Sequence, residues 1–212
     1  MLTILFVAIV CYLVGSIPTS VIFARILKGI DIREYGSKNA GATNVFRVLG
    51  PVPGITVLVF DAAKGFVSVT VLAKLGIGTT PFIDPIYLKL LAAVCATMGH
   101  VYTIFAGLKG GKGIGTGGGA LLGLIPLEVG LGVAVFLLVL FLTRYVSLGS
   151  LSASVFISLA LTFEKLFLKV SVPSVLLVGC WGLTILVFYT HRTNIRRLLT
   201  GTERKLGEKV RI

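Results

Sequence analysis

Residues 114–143 read I-G-T-G-G-G-A-L-L-G-L-I-P-L-E-V-G-L-G-V-A-V-F-L-L-V-L-F-L-T, with one charge, Glu128, and one proline, Pro126. A single helix over this stretch would be ~45 Å long, well beyond the ~30 Å hydrocarbon core of a bilayer. Pro126 and Glu128 lie near its middle and invite a turn, giving two short passes, Ile114–Ile125 and Leu127–Thr143. The choice between one pass and two fixes the side on which every later element falls.

Composition establishes that the passes are membrane passes. The chain is 212 residues, 56% apolar and 13% charged, with a mean hydropathy of +1.01. Such a balance suits an all-α integral membrane protein with little extramembrane mass and excludes a soluble globular domain. Further apolar runs cover Leu2–Ala24 (with Pro18 as a kink or break), Val52–Leu75, Ile86–Ala106, Leu148–Phe163 and Val172–Tyr189. No Lys or Arg precedes the first run, whereas Arg25 and Lys28 follow it. A cleavable signal peptide would carry its charge in front, so this run reads as a span with its N-terminus outside. Cys11, Cys95 and Cys180 all sit in apolar runs without CxxC spacing and read as small apolar fillers.

The cations then decide the count. With seven spans, Arg25, Lys28, Arg33, Lys38, Arg47, Lys109, Lys112, Arg144 and seven cations of the tail share the cytoplasmic side, fifteen in all. Only Lys74, Lys89, Lys165 and Lys169 fall outside, and Lys64 stays within a span. Six spans would put the basic tail outside, against the positive-inside rule. About seven transmembrane helices, N-terminus outside and C-terminus cytoplasmic, is therefore the expected fold. No internal repeat suggests an inverted-repeat transporter.

Three polar segments then share one face. The first, Tyr35–Arg47, sets Ser37, Lys38, Asn39, Thr43, Asn44 and Arg47 among small residues. Hydroxyl, amide and cationic donors with room for close approach suit a phosphate or an acyl oxyanion; an interfacial amphipathic connector is the plainer reading. The second, Gly107–Gly119, holds eight glycines with Lys109 and Lys112. It is neither a Walker A motif nor a dinucleotide fingerprint, because no GK[ST] and no preceding strand are present. What remains is Gly110-Gly111-Lys112-Gly113 opening a short helix, whose free N–H groups and positive dipole end would face an anion. Close helix packing is the alternative for Gly115–Gly119. The third segment, Thr190–Arg197 followed by Glu203, places His191 and Asn194 three residues apart, on one helix face. Within spans, Asp61 and Lys64 at i, i+3 can pair, and His100 lies near the cytoplasmic end of its run.

In order, the chain carries G-S-K-N-A-G-A-T-N-V-F-R at 36–47, G-G-K-G at 110–113, and H-R-T-N at 191–194 with a following Glu. In these motifs it resembles the bacterial acyl-phosphate:glycerol-3-phosphate acyltransferases, integral membrane enzymes that begin phospholipid synthesis. The one departure noted is Ala40, where Pro or another residue is expected in many members. The resemblance implies transfer of a fatty acyl group from acyl phosphate to the sn-1 hydroxyl of glycerol 3-phosphate, giving lysophosphatidic acid. It implies catalytic roles for Ser37, Arg47, His191 and Asn194 and a structural role for Glu203. Substrate binding is assigned to Lys38, Asn39, Thr43, Asn44, Lys64, His100, Gly110, Gly111, Lys112, Gly113 and Thr193.

The chemistry fits on its own terms. Acyl phosphate is already activated, so no cofactor and no metal is expected. The partners are the two phosphate-bearing substrates and membrane lipids, with no nucleic acid, and the chain is expected to be a monomer. The residues are assigned to one transmembrane catalytic domain, 1–212, in the bacterial cytoplasmic membrane with its site near the cytoplasmic face. His-x4-Asp is absent, since Phe105 and Arg196 stand where Asp should follow His100 and His191; no GxSxG elbow occurs either. Direct attack by the glycerol hydroxyl is therefore favoured, with His191 or a substrate phosphate oxygen accepting the proton. The alternative of another class is a small anion or phosphate transporter.

Overall fold

A computed structural model describes residues 2–77 and 84–208. Its helices are α1 (Leu2–Gly15), α2 (Thr19–Lys28), α3 (Ala42–Leu49), α4 (Pro51–Val67), α5 (Lys74–Ile77), α6 (Pro85–Val101), α7 (Ile114–Leu122), α8 (Pro126–Thr143), α9 (Val146–Leu166), α10 (Ser174–Thr190) and α11 (Arg192–Leu199). No strand occurs among the described residues. Among the described residues, five segments are long and apolar enough to cross a bilayer: Leu2–Lys28, Pro51–Leu72, Pro85–Ala106, Pro126–Thr143 and Val146–Leu166. A sixth is added if α10 and α11, bent by 61° at their junction, count as one.

The opening stretch divides where its proline stands. α8 begins on Pro126, whose missing N–H costs nothing in a first helical turn. α7 before it has 9 residues, or ~14 Å, less than half the hydrocarbon core. The contacts fall into two compact units, one running to Leu124 and including the chain from Gly207, the other Ile125–Leu206.

In the first unit the leading span is broken between α1 and α2 at Ser16–Pro18. α1 packs on α6, and α4 on α7. Lipid tails are as apolar as Leu, so close van der Waals fit rather than burial drives these contacts. Small residues provide the fit. A Cβ at Gly15 or Gly99 would overlap the Ala96 or Tyr12 carbonyl, and one at Gly65 or Gly119 would overlap the Thr116 or Ala62 carbonyl. α4 and α7 therefore meet backbone to backbone at Gly65 and Gly119. Beyond Val67 the span continues as a π turn, with Ala73 N–H donating to the Ser68 carbonyl at 2.9 Å. Cys11, with Val7, Ala92 and Ala96, fills one apolar cluster.

In the second unit α8, α9 and α10 pack consecutively. Hydroxyls join the last two: Ser158 and Thr184 lie 2.9 Å apart, and Thr184 Oγ1 donates to Ser154 O at 3.0 Å. α8 buries only Val129 and Gly132, which suits a helix facing lipid. Arg144 makes the α8–α9 turn in the left-handed region (φ 63°). The chain after α11 returns there, Leu206 N–H donating to Arg144 O at 2.7 Å. This return brings Glu203 under the start of α11.

Candidate active site

The first motif is shaped by its own amides. Asp31 opens the loop, accepting from Arg33 N–H at 3.0 Å and pairing with the Arg33 guanidinium at 2.7 Å. That guanidinium, through its hydrogen bonds, holds the Asp31 carboxyl at about 2, below the usual carboxylate range. Arg33 Nη1 also donates to Ala106 O at 2.6 Å, tying the loop to the chain that follows α6. Asn44 sits 1% exposed. It accepts from Ser37 N–H at 2.8 Å and donates to the Ile32 and Tyr35 carbonyls at 3.0 Å. The Asn44 amide, expected to bind substrate, is engaged by its own loop, where it fixes Ser37. Gly36 has φ 62°, and the space beside it is filled by Asn44 Oδ1. Ser37, Asn39, Thr43 and Arg47 are half-buried, and Lys38 is exposed. Thr43 and Arg47 are one turn apart on α3 and share a face.

The glycine loop meets this motif. Ala40 O accepts from Ser20 Oγ at 2.8 Å, and a Cβ at Gly111 would lie 2.9 Å from the same oxygen. Thr19, Ser20, Ala40, His100, Gly110 and Gly111 line a gap of about 10 Å³ between them. The N–H groups of Gly110 and Gly111 are not aimed outward, however. They donate to the Val101 and His100 carbonyls at 3.1 Å, laying the loop along the end of α6. Of the anion cradle expected of Gly110–Gly113, the Gly110 and Gly111 N–H groups are thus engaged by the end of α6. What the loop delivers is the start of α7, where Gly113 (φ 84°) precedes a first turn with no side-chain cap. The first N–H groups of a helix have no intrahelical partner, which suits such a turn to an anion. Lys112, half-buried, stands beside them.

Two further expected binding residues are Lys64 and His100. Lys64 Nζ reaches Asp61 Oδ1 and Ile17 O at 2.8 Å and Gly15 O at 3.3 Å. Three acceptors match the three donors of an ammonium, so Lys64 has none for a substrate. The pairing of Asp61 with Lys64 expected from their spacing is present. His100 is buried, with Nδ1 3.6 Å from Asp61 Oδ1, and its Nε2 occupies the space a side chain at Gly111 would need.

In the second unit, His191 and Asn194 are both buried while Thr193 is exposed. His191 Nδ1 lies 2.9 Å from Val187 O. A carbonyl only accepts, so Nδ1 carries the proton and neutral His191 has its lone pair on Nε2. Asn194 Nδ2 donates to Glu203 Oε1 at 2.6 Å, Ser147 Oγ to the same oxygen at 2.7 Å, and Arg197 Nε to Oε2 at 2.6 Å. Burial pushes the Glu203 carboxyl up, but the hydrogen bonds from Asn194, Arg197 and Ser147 outweigh it and hold it below its ordinary value. Glu203 is the hub of this segment.

A family model described as glycerol-3-phosphate acyltransferase matches residues 5–201. The chain belongs to this family. A glycerol-3-phosphate acyltransferase of Chlorobium phaeobacteroides (strain BS1) is 42% identical over 97% of each chain, and one of Chlorobaculum tepidum is 41% identical over 98% of each. A crystal structure of PlsY, an integral membrane glycerol 3-phosphate acyltransferase, in its glycerol 3-phosphate form, has a TM-score of 0.84 and 34% identity, covering 96% of each chain. The lysophosphatidic acid form of PlsY gives 0.82 at the same identity, covering 96% of this chain and 95% of that one.

Within this acyltransferase, motif one and the glycine loop meet in the first unit, and His191, Asn194 and Glu203 gather in the second. Sequence reasoning missed Ser147 and Ser20, because an isolated serine in an apolar helix carries no signal of its partner. It paired Asp61 with Lys64 but did not foresee the contacts of Asp61 with Thr19 and His100, which are distant in sequence.

Proposed function

We propose that the chain transfers a fatty acyl group from acyl phosphate to the sn-1 hydroxyl of glycerol 3-phosphate, giving lysophosphatidic acid and inorganic phosphate. Beside family membership, the observation that carries this reading is the meeting of motif one with the glycine loop at Ala40 and Gly111. It puts the donors of Ser37, Asn39, Thr43 and Arg47 on the same unit as the unblocked N-terminus of α7 and Lys112. Two phosphate-bearing substrates need two anion-suited segments.

The hydroxyl oxygen attacks the acyl carbon, and the C–O bond to phosphate breaks as the tetrahedral intermediate collapses. Ser37 and Arg47 donate to the charge that develops, which stabilises the transition state more than the ground state. The hydroxyl proton passes to His191 Nε2 or to a phosphate oxygen. Glycerol 3-phosphate is held by the start of α7 with Lys112 and Gly113. Asn194 acts through Glu203, which it shares with Ser147 and Arg197. No cofactor or metal is required by this chemistry. Catalysis belongs to the whole chain as a monomer in the bacterial cytoplasmic membrane. Seven passes, with α7 counted as a short one, put the N-terminus outside and all three motifs on the cytoplasmic side.

Detergent-purified protein supplied with acyl phosphate and glycerol 3-phosphate should form lysophosphatidic acid, and acyl-CoA or acyl carrier protein should be poor donors. Comparable turnover with acyl-CoA, in preparations free of acyl exchange onto phosphate, would refute the donor assignment. Phosphate movement across vesicles without acyl transfer would favour a transporter.

A further inference from the structure

Asp61 belongs to no motif, and the reaction as written does not use it. It is 2% exposed, and one of its oxygens collects three partners. Thr19 Oγ1 donates to Oδ1 at 2.5 Å, Lys64 Nζ donates at 2.8 Å, and His100 Nδ1 stands 3.6 Å away, just beyond hydrogen-bond distance. Two of these partners serve the break in the leading span. Lys64 meets the carbonyls of Gly15, the last residue of α1, and of Ile17 just beyond it, and Thr19 is the first residue of α2. The cation thus faces a carbonyl end and the carboxylate an N-terminal end, the favourable sign at both.

The third partner points elsewhere. His100, in the last turn of α6, has its far nitrogen filling the space that Gly111 leaves open. Its carbonyl takes the Gly111 N–H, and Val101 next to it takes that of Gly110. Gly113 follows two residues later and immediately precedes α7. A carboxylate wanted only for pairing with Lys64 would need no third contact. This one stands against one side of an imidazole whose other side packs on the loop.

We propose that Asp61 is a positioning residue for acyl transfer, acting through His100 on the glycine loop and hence on the N-terminus of α7 that holds glycerol 3-phosphate. The inference rests on the acyltransferase reading above. Truncation at Asp61 alone would strand a buried ammonium, so the pair is best removed together.

Asp61→Asn, Asp61→Asn/Lys64→Met and His100→Gln should be purified, their thermal midpoints measured, and initial rates recorded with each substrate varied separately. The paired variant, folded and with a midpoint close to wild type, should raise KM for glycerol 3-phosphate about tenfold, the scale of loss from a displaced binding group. Its kcat and its KM for acyl phosphate should stay within about threefold. His100→Gln should give the same split, and adding it to the paired variant should raise KM no further, because the two act on one path. An unchanged KM for glycerol 3-phosphate in His100→Gln overturns the proposal whether or not the Asp61 variants fold. So does a parallel loss of kcat and of affinity for both substrates together with the midpoint. Effects of Asp61 and His100 that multiply also overturn it. If wild-type protein forms no lysophosphatidic acid, the acyltransferase reading itself fails; product from wild type with flat KM values defeats only the role of Asp61.

Discussion

Gly111 shows how little a residue's identity says without its neighbours. Its hydrogen atom faces the His100 imidazole, so a methyl group there would overlap Nε2 and press on Ala40 O, at 2.9 Å. Gly111→Ala should therefore act by pushing His100 and the loop apart, not by entering the phosphate site. KM for glycerol 3-phosphate should rise by about an order of magnitude with kcat nearly intact, since lost uniform binding appears in KM. Steady-state kinetics with the acceptor varied checks this, and an unchanged KM would sink it. Glu203 gives a second case. Its carboxylate receives three side-chain donors, and its native pKa lies below its ordinary one. A depressed carboxylate contributes stability that is complete above the unfolded value, about 4.3, and is lost as pH falls through the native value. Glu203→Gln should lower stability by about 2 kcal/mol at neutral pH, the worth of a charge-assisted hydrogen bond. It should also flatten the acid side of the stability profile. Thermal midpoints in detergent between pH 3 and 7 test both, and parallel profiles for variant and wild type would contradict the assignment.

Among the elements, α7 carries the sharpest contrast. Gly119 lies against the Ala62 carbonyl of α4, whereas an added Cβ at Gly118 meets nothing within 4 Å. Backbone cannot yield as a flexible side chain can. Gly119→Ala should therefore destabilise by about 1–3 kcal/mol. Gly118→Ala should be neutral or stabilise by about 0.5–1 kcal/mol through helix propensity. Equal midpoints for the two variants would mean that α4 and α7 do not meet as described. The same glycines show what the sequence could tell. A small-residue run announces close approach, but not whether a ligand or another helix approaches, and Gly110 and Gly111 proved to face the end of α6. The Asp61–Lys64 pair was legible because its partners are three residues apart. The carbonyls that complete Lys64 stand 49 and 47 residues away, a distance no local pattern spans. Asn44 looked like a ligand donor by composition. Only the path of its loop shows its amide to be occupied. The break at Pro126 was legible because proline acts on its own backbone, whatever packs around it.

At the scale of the whole molecule the question is which motifs share a side of the membrane. Apolar length alone gives five crossing segments, or six with the bent pair α10–α11, and α7 is too short to cross a full hydrocarbon core as a straight helix. Charge gives the stronger constraint, because moving a basic tail outward opposes the positive-inside bias on every cation it contains. Fifteen cations against four is an imbalance that only an odd number of passes preserves. An even number would separate the tail from motif one. Single cysteines at positions 2, 40, 110 and 205, in a background lacking Cys11, Cys95 and Cys180, test this with a membrane-impermeant thiol reagent. In intact cells only position 2 should be labelled. In inverted vesicles the exposed Lys205 position should label readily, and positions 40 and 110 more slowly, because Ala40 is buried and Gly110 is half-buried. Glycerol 3-phosphate should slow labelling at 110 further if the start of α7 holds it. Labelling of 110 from the face opposite to 205 would show that the glycine loop and the third motif cannot serve one reaction, and the seven-pass reading would fall with it.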